Sequence, residues 1–355
     1  MKAIDHVGII WAIARKDIAE ALRNLVMLSV ILGVLVLVGS SQIGVLLQQM
    51  SGKYNVYIND TTGYDLAYSL NTPPTLNLIA VTSDEELNQA LINNPGTTVG
   101  LKLTTDNLGT LSVDASYAHW VDRDEASTII DITEQFLRSE LGKAVTTVHL
   151  QDNSVYPEGT TNRMVNSMSI ILIIALFAFC GSLVPMLLAE EKRRKTMDVL
   201  MVSPASVGDI ISGKAIAGMF YGLLTACVTV ILLNRYILHW EIAVLVSLLG
   251  TMLAVTTGLL LGVLINSYQA MNIYSAGLLF LLFLPLIPEV MGLDIAEGFA
   301  SLLQLFPIPA LMALTRMMYI NPVSVDVILP NTGILILWVA GIGLMATWLG
   351  SRMNT

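Results

Sequence analysis

Apolar residues dominate six separate stretches of this chain, and each stretch is about 20 residues long. A helix needs about 20 mostly apolar residues to cross the hydrocarbon core of a membrane. The pattern therefore predicts six transmembrane helices. They occupy residues 25–47, 167–189, 215–233, 242–265, 273–290 and 333–350.

A seventh apolar stretch, residues 299–319, differs from these six because it contains Pro307 and Pro309. Proline lacks a backbone N–H and clashes with the preceding turn, so two prolines this close interrupt a helix. Backbone that is left unpaired at membrane depth is tolerated where it packs against protein or lines a wet cavity. We predict a re-entrant or broken segment here, and the alternative is a kinked seventh span.

Basic residues near the predicted spans indicate the orientation of the chain, because cytoplasmic loops carry an excess of Lys and Arg. With six spans, the basic positions at the first, second and last spans all fall on one side. This arrangement predicts a multi-pass protein of the cell membrane with both termini in the cytoplasm. The positions are Arg15, Lys16 and Arg23, the run at 192–195, and Arg352.

Residues 1–24 precede the first span, and their charged and apolar positions separate at helical spacing. The apolar side carries Ile10, Ala14, Ile18, Ala21 and Leu22, and the charged side carries Arg15, Lys16, Asp17, Glu20 and Arg23. Such a helix is typical of a segment that lies in the cytoplasmic interface of a membrane. A solvated extension of the first span is the alternative.

Residues 48–166, between the first two spans, have the pattern of a small α/β domain, and the predicted topology places it outside the cytoplasm. Strands are predicted at 54–58, 76–81, 98–103 and 110–115, and helices at 84–93 and 122–141. Ser83 can cap the first helix, with Glu86 completing a capping box. The second helix has Ala126, Ile129, Ile130, Thr133 and Leu137 on one face.

Composition agrees with a membrane protein and shows where the charge lies. The 355 residues are 54% hydrophobic and only 13% charged, whereas soluble domains carry about 25% charged residues. The net charge of −9 comes from residues 51–165, which contain 15 acidic and 6 basic residues. An acidic domain of this kind is not expected to bind nucleic acid, and the apolar spans require membrane lipid.

Residues with metal-binding or redox chemistry are few and scattered. The histidines, His6, His119, His149 and His239, show no metal-ligand spacing. Cys180 and Cys227 both lie in apolar runs, so neither is expected in a structural disulfide. Glu289 is the best ionisable candidate within the spans, and an interfacial carboxylate is its alternative interpretation.

Residues 208–215, G-D-I-I-S-G-K-A, are similar to a phosphate-binding loop. That loop needs a Ser or Thr after the lysine to hold magnesium and a strand before it. Here Ala215 follows Lys214, and a membrane span follows directly. The sequence therefore predicts no catalytic residue, no metal site and no nucleotide site in this chain.

The most informative stretch is residues 190–214, between the second and third spans. Val199, Leu200 and Val202 are apolar although a cytoplasmic loop faces water, and Pro204 ends the short helix that contains them. Exposed apolar residues flanked by charges are typical of a docking surface for another protein. An ordinary interfacial loop held by its basic residues is the alternative.

This stretch resembles the cytoplasmic signature of ABC-2 type permeases, in which an acidic residue and a basic run precede T-L-E-x-L-L-x-x-P-(V/A)-S and then G-K. Matching positions are Glu191, Thr196, Asp198, Leu200, Pro204, Ser206, Gly213 and Lys214. Lys195 stands where the family often has glycine, and Asp198 where it often has glutamate. The layout of the whole chain is similar to a subgroup with an extracytoplasmic domain, which includes permeases for sodium efflux and drug export.

The resemblance implies an all-α polytopic membrane domain of the type V ABC exporter kind, plus the small α/β extracytoplasmic domain. It implies a homodimer or heterodimer that carries two cytoplasmic ABC ATPases, with ATP and magnesium on the ATPases. Residues 190–214 would form the loop that couples to the ATPase, through Glu191, Thr196, Asp198, Val199, Leu200, Pro204, Ser206 and Lys214. The expected function is the permease of an ATP-driven exporter, and the alternative is a mechanotransmission, sensor or scaffold protein that transports nothing.

Overall fold

A computed structural model describes residues 6–23, 32–33, 35–36, 39–40, 43, 53–62, 73–94, 96, 98–105, 111–141, 145–149, 154–157, 162–194, 207–265, 268–291, 293 and 296–352. The chain divides into two compact units. We call the first, Met1–Val38, Asn166–Tyr319 and Val323–Thr355, the membrane unit. We call the second, Gly39–Val165 and Ile320–Pro322, the sheet unit.

In the described part of the sheet unit, six strands form one mixed sheet. They are β1 (Tyr54–Asp60), β2 (Leu76–Val81), β3 (Thr98–Thr105), β4 (Leu111–Ala118), β5 (Val145–His149) and β6 (Ser154–Val155). The strand order is β2-β1-β3-β4-β5, and β6 also pairs with β4. Only β3 and β4 are antiparallel, and the other pairs are parallel.

Two helices, α2 (Asp84–Asn93) and α3 (Arg123–Leu141), pack against this sheet. The predicted cap of α2 is confirmed, because the Ser83 hydroxyl accepts a hydrogen bond from the Glu86 amide at 3.1 Å. The Glu86 carboxylate accepts from the amide and the hydroxyl of Thr82, both at 2.7 Å, and not from the Ser83 amide of a capping box. The predicted apolar face of α3 is buried at Ala126, Ile129, Ile130, Thr133 and Leu137.

The sequence pattern located β1 to β4, α2 and α3 to within a few residues, but it missed β5 and β6. These two strands have five and two residues, and such short runs show no clear alternation. It also missed that Ile320–Pro322 belongs to the sheet unit. There the Asn321 amide donates a hydrogen bond to the carbonyl of Pro157 at 3.2 Å, and a contact between such distant segments leaves no local pattern.

The described part of the membrane unit consists of helices. They are α1 (His6–Arg23), α4 (Arg163–Arg194), α5 (Val207–Leu232), α6 (Trp240–Leu264), α7 (Tyr268–Phe283), α8 (Ile287–Val290), α9 (Glu297–Leu303), α10 (Pro307–Arg316) and α11 (Val325–Arg352). Helix α4 starts in the last residues of the sheet unit. A 3-10 turn, Asn234–Tyr236, follows α5, and a second one, Leu284–Leu286, joins α7 to α8.

Among the described residues, four helices are long and apolar enough to cross a membrane. They correspond to the second, third, fourth and sixth predicted spans. Their apolar portions are Arg163–Ala189, Gly208–Leu232, Trp240–Leu264 and Val325–Gly350. The fifth predicted span, 273–290, is not one long helix. Its apolar part, Ile273–Leu286, is shorter, because Pro285 ends the regular α-helix. Of the first predicted span, 25–47, only residues 32–33, 35–36, 39–40 and 43 are described, and these are helical.

The predicted interruption within residues 299–319 is confirmed. Helix α9 ends at Leu303, and α10 begins at Pro307, where proline is tolerated because the first N–H groups of a helix have no partner within it. Helix α10 has ten residues, about 15 Å of helix, whereas a membrane core is about 30 Å thick. This stretch is therefore broken into two short helices, and its re-entrant placement stays a prediction.

Glycines allow α4, α5 and α6 to pack closely. A Cβ atom at Gly258 of α6 would lie 2.9 Å from the backbone carbonyl oxygen of Cys180 on α4, and one at Gly218 of α5 would lie 3.1 Å from Val255. Two G-x-x-x-G patterns, which are typical of close helix packing in membranes, provide these positions. They are Gly218 with Gly222 and Gly258 with Gly262.

Candidate functional site at the contact between α1 and α5

Most residues of the predicted coupling loop belong to segment 195–206, which lies outside the described residues. This segment contains Thr196, Asp198, Val199, Leu200, Pro204 and Ser206. The described helices occupy both ends of the stretch 190–214, because α4 continues to Arg194 and α5 begins at Val207. Glu191 lies in the last turns of α4, and Lys214 lies near the start of α5. The coupling role of the eight residues stays a prediction.

Helix α1 lies alongside the beginning of α5 and is joined to it by polar contacts. The Nδ1 atom of His6 lies 2.9 Å from Oδ2 of Asp209, and Tyr221 donates its hydroxyl to the carbonyl of Ile18. His6 and Ile18 are as far apart along α1 as Asp209 and Tyr221 are along α5. The two helices therefore run in the same direction over about 18 Å.

Between these two contacts lies an ion pair that is shielded from solvent. The Nζ atom of Lys214 lies 3.1 Å from Oδ2 of Asp17, and the two side chains are 0% and 2% exposed. The same Nζ atom lies 3.4 Å from the carbonyl oxygen of Leu187 on α4. The lysine at the start of α5 thus contacts both α1 and α4.

The prediction that Asp17 lies on the charged, water-facing side of α1 is wrong. Arg15, Lys16 and Glu20 are exposed as predicted, but Asp17 is buried. It lies three and four residues after Ala14 and Ile13, which are also buried, so it shares their helix face. A carboxylate can occupy that face because Lys214 neutralises it, and an unpaired buried charge would be costly.

Two large apolar residues of α1 are exposed in this structure, Val7 at 76% and Trp11 at 61%. Tryptophan is enriched at membrane–water interfaces, where its ring contacts lipid and its N–H contacts water. Their exposure supports the interfacial location predicted for α1, which stays a prediction.

Gly213, next to the lysine, allows α1 to approach α5. A Cβ atom at this position would lie 2.7 Å from Cγ2 of Ile13 and 3.1 Å from the carbonyl oxygen of Ile10. Since atoms cannot pack that closely, any side chain would push the two helices apart. In the G-K pair of the permease signature, the glycine therefore makes room for α1, and the lysine binds its aspartate.

The segment that is similar to a phosphate-binding loop lies within α5. A phosphate-binding loop wraps around phosphates with free backbone N–H groups. In an α-helix only the first four N–H groups lack a partner within the helix, so from Ile211 onwards these groups belong to the helix itself. In addition, the ammonium of Lys214 is held by Asp17. The geometry of this segment therefore differs from that of a phosphate-binding loop, and the absence of a nucleotide site stays a prediction.

Other candidate chemistry is limited in the part of the chain that the structure describes. No group of three or more His, Cys, Asp and Glu side chains there could hold a metal ion. Cys180 is buried, Cys227 is exposed, and both are free thiols. Glu289 lies in α8, and its side chain lies outside the described part.

Sequence reasoning found Lys214 but missed its ion-pair partner Asp17. It also missed Tyr221, which bonds to the backbone of α1. Lys214 itself was an indication that an acidic partner exists, because a lysine beside an apolar span needs a counter-charge or a route to water. Helix α1 offers several acidic and basic residues, and only packing selects one of them. The tyrosine left no signal, because its hydroxyl bonds to a backbone carbonyl, which every residue has.

Comparison with known proteins gives one family match. The family model described as "ABC-2 family transporter protein" matches residues 23–348 of the chain. No curated protein matches the sequence.

Proposed function

The chain belongs to the ABC-2 family of transporter proteins, and we propose that it is the permease subunit of an ATP-driven ABC exporter. Membership of this family and the four long apolar helices make it a multi-pass membrane protein and a membrane component of transport. The energy comes from a separate cytoplasmic ABC ATPase, which binds ATP and magnesium. The permease itself carries no cofactor and acts as a homodimer or heterodimer in the lipid bilayer.

The observation that best supports the proposal is the buried link between α1, α5 and α4. Segment 195–206 joins the end of α4 to the start of α5. Lys214 follows Val207, the first residue of α5, by about 10 Å of helix and contacts Asp17 on α1. A force on segment 195–206 therefore acts directly on α4 and α5, and it reaches α1 through the ion pair between Lys214 and Asp17.

In the proposed mechanism, ATP closes the two ATPase subunits, and they displace the coupling loop. The loop contacts the ATPase through Val199 and Leu200, and Thr196, Asp198, Pro204 and Ser206 shape it, with Glu191 at its start. Helix α5 then moves together with α1, because separating them would leave the buried charges of Lys214 and Asp17 without each other. Opposite movement on ATP hydrolysis resets the spans, and this cycle exports the substrate.

The proposed orientation puts both termini and segment 195–206 in the cytoplasm and the sheet unit outside. Its support is the distribution of basic residues, with Arg15 and Lys16 before the first span, the run at 192–195 after the second, and Arg352 after the last. The acidic composition of residues 51–165 agrees with this orientation, since the cytoplasmic face of the membrane is negatively charged.

Co-purification tests the proposal. The tagged chain is isolated from its native membranes in mild detergent, and its partners are identified by mass spectrometry. We expect an ABC ATPase to co-purify and to give the complex an ATPase activity that disappears when the phosphate-loop lysine of the partner is replaced. As a matched comparison, the chain expressed alone should hydrolyse no ATP. Purification without any ATPase, or hydrolysis by the chain alone, would contradict the proposal.

A further inference from the structure

A cleft in the sheet unit has the lining of a ligand-binding site. Its volume is about 1190 Å³, and it lies between α2 and the polar face of β3 and β4. Residues from β6 and from the short segment at 320–322 complete its walls. A space of this size can enclose much of a drug-sized ligand.

The base of the cleft is formed by two antiparallel strands, β3 and β4. Lys102 on β3 lies opposite Asp114 on β4, and Gly100 lies opposite Ser116. Residues opposite each other in this way project from the same face of the sheet. Because glycine has no side chain, Leu87 of α2 packs closely over Gly100, and the cleft opens beside it towards Lys102 and Asp114.

The charges of the cleft are not balanced. Lys102 is already held by Asp84, with 2.5 Å between Nζ and Oδ2, and Asn59 donates a second hydrogen bond to Asp84 at 2.7 Å. The pKa of Asp84 is lowered, first by its hydrogen bond with Lys102. Among the described residues, Glu85 and Asp114 make no side-chain hydrogen bond or ion pair, and both line the cleft. These two carboxylates leave an excess of negative charge.

Apolar and aromatic surface lies next to these carboxylates. Val155 is partly buried and lines the cleft, and Tyr156 is 40% exposed. Leu87 and Ile92 of α2 also border it, but they are only 4% and 6% exposed and contribute little surface. The ring of Tyr156 also lines it and stacks on His119, with 5.4 Å between the ring centroids. The cleft therefore offers one exposed aromatic ring, the partly buried side chain of Val155 and two carboxylates within the same concave surface.

From this lining we infer that the cleft binds a small amphipathic organic cation, with its apolar or aromatic part against Val155 and Tyr156 and its ammonium near Asp114 and Glu85. Carboxylates attract an ammonium and form strong hydrogen bonds with it, and an aromatic ring adds favourable contact with a cation. A neutral ligand would use only the apolar surface, and an anion would be repelled. This inference concerns the chain alone and does not depend on an ATPase partner.

The test uses three phenols that differ in one group: tyramine with an ammonium, tyrosol with a hydroxyl, and 4-hydroxyphenylacetate with a carboxylate. Each is titrated against the full chain in phosphatidylcholine nanodiscs and followed by ligand-observed NMR, with empty nanodiscs as the blank. We expect saturable binding of tyramine, binding of tyrosol at least about tenfold weaker, and the weakest binding for the anion, because a charge-assisted hydrogen bond contributes about tenfold in affinity.

Variants of the chain connect this binding to the cleft. Asp114→Asn and Glu85→Gln should each weaken tyramine binding by about tenfold and leave tyrosol unchanged. Lys102→Met should strengthen tyramine binding, because it removes a like charge and releases Asp84. Since damage to the fold could only weaken binding, this gain distinguishes recognition from misfolding. Asp131→Asn, on the exposed side of α3, is the matched control with the same change in charge.

Three results would overturn the inference. Equal affinities for tyramine and tyrosol would mean that the cleft does not recognise a cation. Equal losses in Asp114→Asn and Asp131→Asn would mean that only the general negative charge of the unit attracts tyramine. Absence of saturable tyramine binding to the correctly folded chain would mean that the cleft does not bind this class of ligand.

Discussion

Lys214 of α5 and Asp17 of α1 form a buried ion pair, with 3.1 Å between Nζ and Oδ2. They are 197 positions apart in the sequence, and both side chains are shielded from solvent. Removing one partner from a buried pair leaves an uncompensated charge, whereas replacing both by apolar groups leaves no buried charge. The pair therefore offers a direct test of whether α1 and α5 depend on each other.

Replacing Lys214 alone by Met, or Asp17 alone by Leu, should destabilise the membrane unit by about 3–5 kcal/mol. The double variant, Asp17→Leu with Lys214→Met, should recover most of that loss, because no buried charge remains. Stability is measured as the midpoint of thermal aggregation in detergent, and coupling as the ATPase activity of the complex with its partner. A double variant that is less stable than both single variants would show that these residues do not contact each other.

The exposed Glu20, on the same helix as Asp17, provides the matched control for this cycle. Glu20→Gln removes one carboxylate from α1 but breaks no buried contact, so we expect a change within about 0.5 kcal/mol. A loss as large as that of Asp17→Leu would indicate that the charge of α1 matters, rather than the pair.

Close helix packing gives a second prediction. Gly258→Ala should destabilise the membrane unit by about 1–3 kcal/mol, because its Cβ would lie 2.9 Å from the backbone carbonyl of Cys180, and backbone cannot move aside cheaply. Gly341→Ala on α11 is the control, since a Cβ there meets nothing within 4 Å. Thermal stability of both variants in nanodiscs checks this. Equal stability of the two variants would mean that α4 and α6 do not pack as described.

The parts of this fold that were predictable are those with a local pattern. Hydropathy located α4, α5, α6 and α11 because an apolar run of this length usually forms a membrane-spanning helix. It placed their ends less well, since polar residues that continue a helix beyond the membrane look like loop. The two prolines located the break before α10 because proline removes a backbone donor wherever it lies.

The parts that could not be predicted depend on packing between distant segments. The glycine spacing in α5 and α6 is visible in the sequence, but it does not say which helix each glycine meets. Likewise, Asp17 was assigned to the charged face of α1 from helical periodicity. That assignment rests on the polarity of each residue and cannot detect a buried ion pair. The cleft of the sheet unit combines α2, β3, β4, β6 and residue 321, and no local pattern connects them.

Acid should open the first turn of α2. The pKa of Glu86 is lowered, first by the hydrogen bond from the Thr82 amide and then by that from its hydroxyl. A lowered pKa in the folded state means that the stabilisation is complete above the ordinary carboxylate pKa and is lost as the pH falls through the lowered value. Hydrogen exchange of α2 amides, corrected for intrinsic rates, should therefore accelerate as the pH falls below the ordinary pKa of a glutamate, about 4.3.

The variant Glu86→Gln should remove much of this pH dependence, because glutamine does not titrate. Its neighbour Glu85, which makes no hydrogen bond in the described part of the chain, supplies the control. Glu85→Gln should retain the acceleration seen in the parent chain. If Glu86→Gln and the parent chain responded to acid in the same way, protonation of the Glu86 carboxylate would not be what opens the first turn of α2.

The proposed orientation makes a fourth prediction. In a chain whose Cys180 and Cys227 are replaced by serine, a cysteine at Gln135 of α3 should react with a membrane-impermeant maleimide added to intact cells. A cysteine at Asp198 should react only after the cells are opened, because segment 195–206 is proposed to be cytoplasmic. Gel-shift labelling measures both. Labelling of position 198 in sealed cells would reverse the proposed topology and separate segment 195–206 from any cytoplasmic ATPase.

The last prediction concerns the contact with the ATPase. Leu200→Asp should leave the permease inserted and folded but weaken binding of its ATPase by tenfold or more. Burying a leucine side chain contributes about 1.5–3 kcal/mol, and an unpaired charge in the same place adds a desolvation cost. Interface residues of this kind often contribute about 2 kcal/mol or more, and 1.4 kcal/mol corresponds to a factor of about ten in affinity.

Exposed charges beside this leucine provide the control, because they are screened by solvent and contribute about 0–1 kcal/mol. Lys192→Gln should therefore bind the ATPase nearly as well as the parent chain. Pull-down of the ATPase in detergent, followed by ATP hydrolysis in nanodiscs, compares the two variants with each other and with Lys214→Met. Lys214→Met should bind the ATPase but couple poorly, because its side chain lies between helices and not on the surface. If Leu200→Asp bound and stimulated the ATPase like the parent chain, segment 195–206 would not be the coupling element, and the force would have to enter the membrane unit elsewhere.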